Sequence, residues 1–125
     1  AQSEPLSNAE IAELKERAKL YFPPVVAKYA SLMGVNYGKI TIRCQKTRWG
    51  SCSKRGDLSF NCLLMLTPEQ CAESVAVHEL AHRLHFDHSP AFYAEVTRVF
   101  PEYHRWNGWL KQNGRKIMMR AARDD

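Results

Sequence analysis

The chain has 125 residues, 45% hydrophobic, 10% aromatic and 25% charged, which is the profile of one globular domain, and no second catalytic domain is expected. Its longest comparable apolar stretch, Cys62 to Leu66, ends at Thr67-Pro68, far short of the roughly 18–20 residues a membrane helix needs, so no membrane span is expected. The formal net charge is +5, concentrated in two acid-free runs: six basic residues from Lys39 to Arg55 and six more from Arg105 to Arg123. Such runs suit nucleic acid, a nucleotide or an acidic peptide, or else serve only as solvated faces.

No basic start followed by an apolar core opens the chain, so no leader and a cytoplasmic location are expected. Ser7-Asn8-Ala9-Glu10 reads as a capping box, and Ile11, Leu14, Ala18 and Phe22 keep helical spacing. The Pro23-Pro24 pair predicts a break, with a second helix carrying Val25, Val26, Tyr29, Ala30 and Met33 until Gly34 closes it. Ile40, Ile42 and Cys44 then alternate with polar residues, as do Leu58, Phe60, Cys62 and Leu64 with Ser59 and Asn61, which predicts two strands in a hairpin. Between them, within Arg48-Trp49-Gly50-Ser51-Cys52-Ser53, Trp49-Gly50-Ser51 reads as a turn. Thr67-Pro68-Glu69-Gln70 starts a helix expected to reach about Phe86, Ser89-Pro90 starts another over residues 90–99, and Pro101 a last one ending near Gln112, with Gly114 as its stop. The four cysteines are separated by seven, nine and eight residues, without a close pair of the kind that holds structural zinc, and are expected to be reduced thiols. Cys52 has no local base and is expected to be a half-buried thiol rather than a nucleophile.

The central helix carries His78-Glu79-Leu80-Ala81-His82, an H-E-x-x-H motif. Residues four apart lie about 40° apart around a helix and about 6 Å along it, so both imidazoles can face one metal ion. Glu79 flanks that face, where it can take a proton from a metal-bound water and return it to a leaving amine. His85 lies about 10.5 Å along the axis from His78, too far to share an ion with it. A turn before Ser89-Pro90 can instead fold His88 back as third ligand, leaving a fourth position open. Glu95, on the following helix, is the competing ligand. Arg48, His85, Tyr103 and His104 are candidate contacts to substrate or transition state. Tyr103 also fits an aromatic face with Trp106 and Trp109, while Phe92, Val96 and Val99 read as core.

The pattern HExxHxxxxxH from His78 to His88, with RWGSCS upstream and His88-Ser89-Pro90-Ala91-Phe92-Tyr93 downstream, resembles the YgjP-like metal-dependent hydrolases over about Tyr21 to Gly114. The resemblance implies an α+β, minimal zincin-like fold, with a short sheet containing antiparallel pairing packed on the active-site helix. It also implies one Zn2+ on His78, His82 and His88, Glu79 as base, and a peptide or protein substrate. A single such unit is expected over residues 1–125, with 1–8 and 115–125 peripheral. The histidine spacing also matches metzincins, but His85 replaces their turn glycine and no Met-turn is evident; Met118 and Met119 read as tail packing. Two other readings use the basic runs: a metal-dependent nucleotide hydrolase, and a nucleic-acid-associated protease similar to the SprT-like enzymes.

Overall fold

The structure, a computed structural model that describes residues 4–121, opens with helix α1 (Asn8–Met33). The capping box forms as expected: the Glu10 N–H donates to Ser7 Oγ at 3.1 Å, and the Ser7 N–H donates to Glu10 Oε1 at 2.9 Å. Gly34, at φ 70°, closes the helix. The expected break at Pro23-Pro24 does not occur, and one helix runs through both prolines. They leave the carbonyls of Lys19 and Leu20 without helical donors, but these four residues are all exposed, so water can satisfy the freed groups. The buried stripe of Leu14, Ala18, Phe22, Val26, Ala30 and Met33 continues across them, and this tertiary packing overrides the local signal.

Three strands follow: β1 (Ile40–Arg43), β2 (Gly50–Cys52) and β3 (Leu58–Asn61), in the order β1-β3-β2. The two predicted strands exist, but they pair parallel, Ile40 beside Leu58 and Arg43 beside Asn61. The hairpin is instead β2 with β3, antiparallel, so the segment read as a turn contributes an edge strand. Phe22 of α1 stacks on Phe60 of β3 with ring centroids 4.2 Å apart, joining helix to sheet. The alternation expected to run to Leu64 stops at Asn61, whose Oδ1 accepts from the Leu63 N–H and caps a 3-10 helix, Cys62–Leu66. Asn61 is buried and its Nδ2 donates to the carbonyls of Gln45 (2.8 Å) and Arg48 (3.1 Å), which pins the connection leading into β2.

Helix α2 (Glu69–Ala81) ends five residues before the expected Phe86. Thr67 donates its hydroxyl to Leu64 O at 2.7 Å instead of capping α2. Most faces of α2 are buried, as befits the central element, with α1, α3, α4 and β2 packed around it. Helix α3 (Pro90–Val99) matches its predicted span, with Ser89 as N-cap. Helix α4 (Tyr103–Met118) runs past Gly114, which is no stop: a Cβ there would lie 2.7 Å from Trp49 Cζ2, so the glycine admits the indole against the helix. Residues expected at the periphery join the core, since Leu6, Met118 and Ala121 are buried and the Leu6 N–H donates to Arg120 O at 2.8 Å. Residues 1–3 and 122–125, Arg123 of the second basic run among them, lie outside the described residues. The result is an α+β fold of four α-helices and a small mixed sheet packed on α2. Among the described residues no helix is long and apolar enough to cross a membrane.

Candidate metal centre

The last turn of α2 presents His78 and His82, and the chain then turns back so that His88 meets them. The three ring centroids form a triangle with sides of 5.0 Å, and one donor atom from each ring lies within 4.8 Å of the others. Phe92 of α3, fully buried, is the floor of this triangle, with its centroid 4.9, 4.7 and 5.2 Å from His78, His82 and His88. It is core, as its stripe suggested, and it also fixes the spacing of the three rings.

Each helical histidine is oriented through its far nitrogen. His82 Nδ1 donates to the His85 carbonyl at 3.1 Å, so its Nε2 keeps a lone pair. His78 Nδ1 lies 2.8 Å from the Tyr103 hydroxyl, which leaves His78 Nε2 facing His88 Nε2 at 3.2 Å. Burial, reinforced by the other two histidines, pushes the His78 imidazole down to about 4, and burial lowers His82 as well. Neutral imidazoles with free lone pairs are what a divalent metal requires.

Glu79 is 7% exposed and its carboxyl is held up at about 7 by burial, against an opposing pull from Arg48. Gly50 of β2 lets the edge strand lie directly on this residue: a Cβ there would come within 3.2 Å of Glu79 Cγ, 3.1 Å of Ser59 O and 3.0 Å of Val75 Cγ1. Beside Glu79 a cavity of about 250 Å³ opens between α2, α4 and the β1–β2 connection, with Arg48, Asn107 and Leu110 in its walls.

The structure therefore brings His78, Glu79, His82, His88 and Tyr103 together. Tyr103 is hydrogen-bonded to His78 and also lines the cavity beside Glu79. His85 enters the site through its backbone carbonyl, not its ring. His104 is exposed and its ring lies against Tyr93 and Tyr103, 5.7 and 5.3 Å away. Glu95 is drawn off by Arg98, at 2.7 and 2.9 Å, and does not join the histidines. The four cysteines form no disulfide and none of them is in the cluster, and burial raises Cys52 away from thiolate.

Arg83 went unnoticed in the sequence. It joins three segments around the site, donating from Nε to Asn36 O, from Nη2 to Asn36 Oδ1 and from Nη1 to Lys54 O, each at 3.0 Å. Its guanidinium covers Gly56, at φ 95°, where a Cβ would lie 2.8 Å from Cζ. The only advance signal was a glycine in the β2–β3 turn.

Comparison with solved structures finds a likeness to the metallopeptidase zymogen abylysin of Pyrococcus abyssi, with TM-score 0.64 and 24% identity over 74% of this chain and 94% of that one. That likeness supports the α+β fold. No curated protein matches the sequence. The family model for the YgjP-like metallopeptidase domain matches residues 2–113. The chain belongs to the YgjP-like family, whose metallopeptidase domain spans nearly all of it.

Proposed function

We propose that this protein is a zinc peptidase in which His78, His82 and His88 hold one Zn2+ and Glu79 is the general base. The observation that carries the reading is the triangle of imidazoles with Glu79 beside it. The donor set fits zinc: with Zn–N bonds of about 2.0–2.1 Å, tetrahedral ligation separates two nitrogens by about 3.3 Å, close to the 3.2 Å between His78 Nε2 and His88 Nε2. Bound zinc supplies a Lewis acid that polarises the substrate carbonyl and makes water a stronger acid.

The chain's own residues do the rest. Glu79 takes a proton from the attacking water and delivers it to the departing amine, so one carboxylate serves both halves of the reaction. The His85 carbonyl, which only accepts, holds the tautomer of His82, and the Tyr103 hydroxyl orients the His78 ring. Strand β2 aligns the substrate. β3 is the central strand and is paired on both sides, so the open edge beside Glu79 belongs to β2. Asn61 N–H donates to Trp49 O and Ser53 N–H to Asp57 O, so Trp49, Ser51 and Ser53 bond inward, and Gly50 and Cys52 turn their backbone groups outward. An extended peptide can pair with those two residues.

The test is cleavage of an unstructured protein by zinc-loaded enzyme, assayed beside phosphate release from a nucleotide panel. Peptide cleavage that stops on zinc removal and returns on its restoration is expected. Nucleotide hydrolysis without peptide cleavage would replace this reading.

A further inference from the structure

We infer that the cavity beside Glu79 is a subsite selective for a substrate carboxylate, with Arg48 as the group that selects it and Asn107 as its neutral partner. The inference rests on the peptidase reading for its place in the reaction and on the cavity's own chemistry for its ligand. At about 250 Å³ the space is below the roughly 300–1,000 Å³ taken by drug-sized ligands, so it accepts one side chain or one chain end rather than an extended ligand. Its walls comprise an apolar part, Trp49, Val75 and Leu110, and a polar part in which Arg48 and Asn107 stand beside Glu79, His78 and Tyr103. Neither the Arg48 guanidinium nor the Asn107 amide has a hydrogen bond or ion pair within the described residues. A ligand can therefore engage these two groups without displacing a hydrogen bond of the fold, and Arg48 also exerts an electrostatic pull on the Glu79 carboxyl. A guanidinium matches a carboxylate with two parallel hydrogen bonds, and an amide N–H adds a third.

Charge favours the same class. Arg48 is exposed within the Lys39–Arg55 run, which contains no acid, whereas the acid in the cavity wall, Glu79, is buried. The backbone holds Arg48 in place from behind, through Asn61 Nδ2 donating to its carbonyl at 3.1 Å. Glu79 must reach both the attacking water and the leaving amine, so the residue that carries this amine lies next to Glu79 and to the cavity it walls. The carboxylate can belong to an aspartate or glutamate at that position or to the C-terminus of a substrate ending there.

Two experiments separate this subsite from the peptidase reading. In the first, zinc-loaded wild type cleaves peptides varied after the scissile bond, with free or amidated ends. A preference of about tenfold or more in kcat/KM for Glu over Gln, or for the free end over the amide, is expected, and Arg48→Gln abolishes it through KM. The arm that carries the preference identifies the source of the carboxylate. In the second, binding of the same labelled peptides to Glu79→Gln is followed by fluorescence anisotropy, which needs no turnover. Binding that favours the carboxylate and is lost in the Glu79→Gln/Arg48→Gln double variant supports the subsite even if wild type cleaves nothing, an outcome that would remove only the peptidase reading. Cleavage or binding indifferent to the carboxylate, or a preference that survives Arg48→Gln, overturns the subsite.

Discussion

The two sides of the metal centre are built differently. His78 and His82 stand on α2, which is packed on nearly every face, with Val77, Leu80 and Ala81 fully buried around them. His88 is exposed and stands in a connection without regular structure, between the end of α2 and the Ser89 cap of α3. The helical side is fixed by the core itself. The loop side depends on a few attachments: Phe92 beneath it, the Ser89 Oγ that accepts from the Phe92 N–H at 3.3 Å, and the Arg83 bonds that hold the turn after His82. On the proposed reading, α2 would set the chemistry, whereas the loop would set how long the metal is retained.

The helical side and the loop side should respond differently to substitution. The largest effect is expected at Glu79: Glu79→Gln should lower kcat by about 10²- to 10⁴-fold while zinc content stays at the wild-type level, checked by turnover and metal analysis of one preparation. Zinc loss in that variant would mean Glu79 builds the site rather than serving as base. Next comes Tyr103→Phe, which removes the hydroxyl that orients His78. Zinc affinity measured by competition with a chelator should fall by about 10-fold, at the low end of what lost outer partners of a metal ligand cost. An unchanged affinity would show that Phe92 and the helix alone orient the ring. The smallest effect is expected for Arg83→Ala, which leaves α2 intact and frees the turn after it. We expect about 1–2 kcal/mol lost in denaturant unfolding, together with faster zinc release. Unchanged zinc release would show that the loop needs no tether.

How far the site could be read in advance follows the same division. His78, Glu79 and His82 were legible because helix geometry alone brings them together within one turn. His88 was legible because His85 is too far along the axis and Ser89-Pro90 requires a new helix immediately afterwards. Glu95 reads as a competing ligand in the sequence, since nothing local distinguishes a ligand carboxylate from one that pairs three residues on, as it does with Arg98. Residues that act across the fold were obscure. Tyr103 meets His78 across 25 positions, Asn61 holds the Arg48 carbonyl across 13, and Arg83 reaches Asn36 across 47. Periodicity within one element carries no trace of such partners. The strands were misread for a related reason. Alternation identifies a strand but not its neighbour, and β1 pairs with β3 only after the chain has laid down β2 between them in sequence. Gly114 and the Pro23-Pro24 pair show the converse, with local stop signals overruled by Trp49 and by a continuous buried stripe.

On the proposed reading the third ligand comes from the loop and not from α3. Zinc analysis of purified His88→Ala and Glu95→Ala, made side by side with wild type, tests it most directly. One zinc per chain in wild type and Glu95→Ala, with loss in a still-folded His88→Ala, is the predicted result; zinc retained by His88→Ala and lost from Glu95→Ala would contradict it.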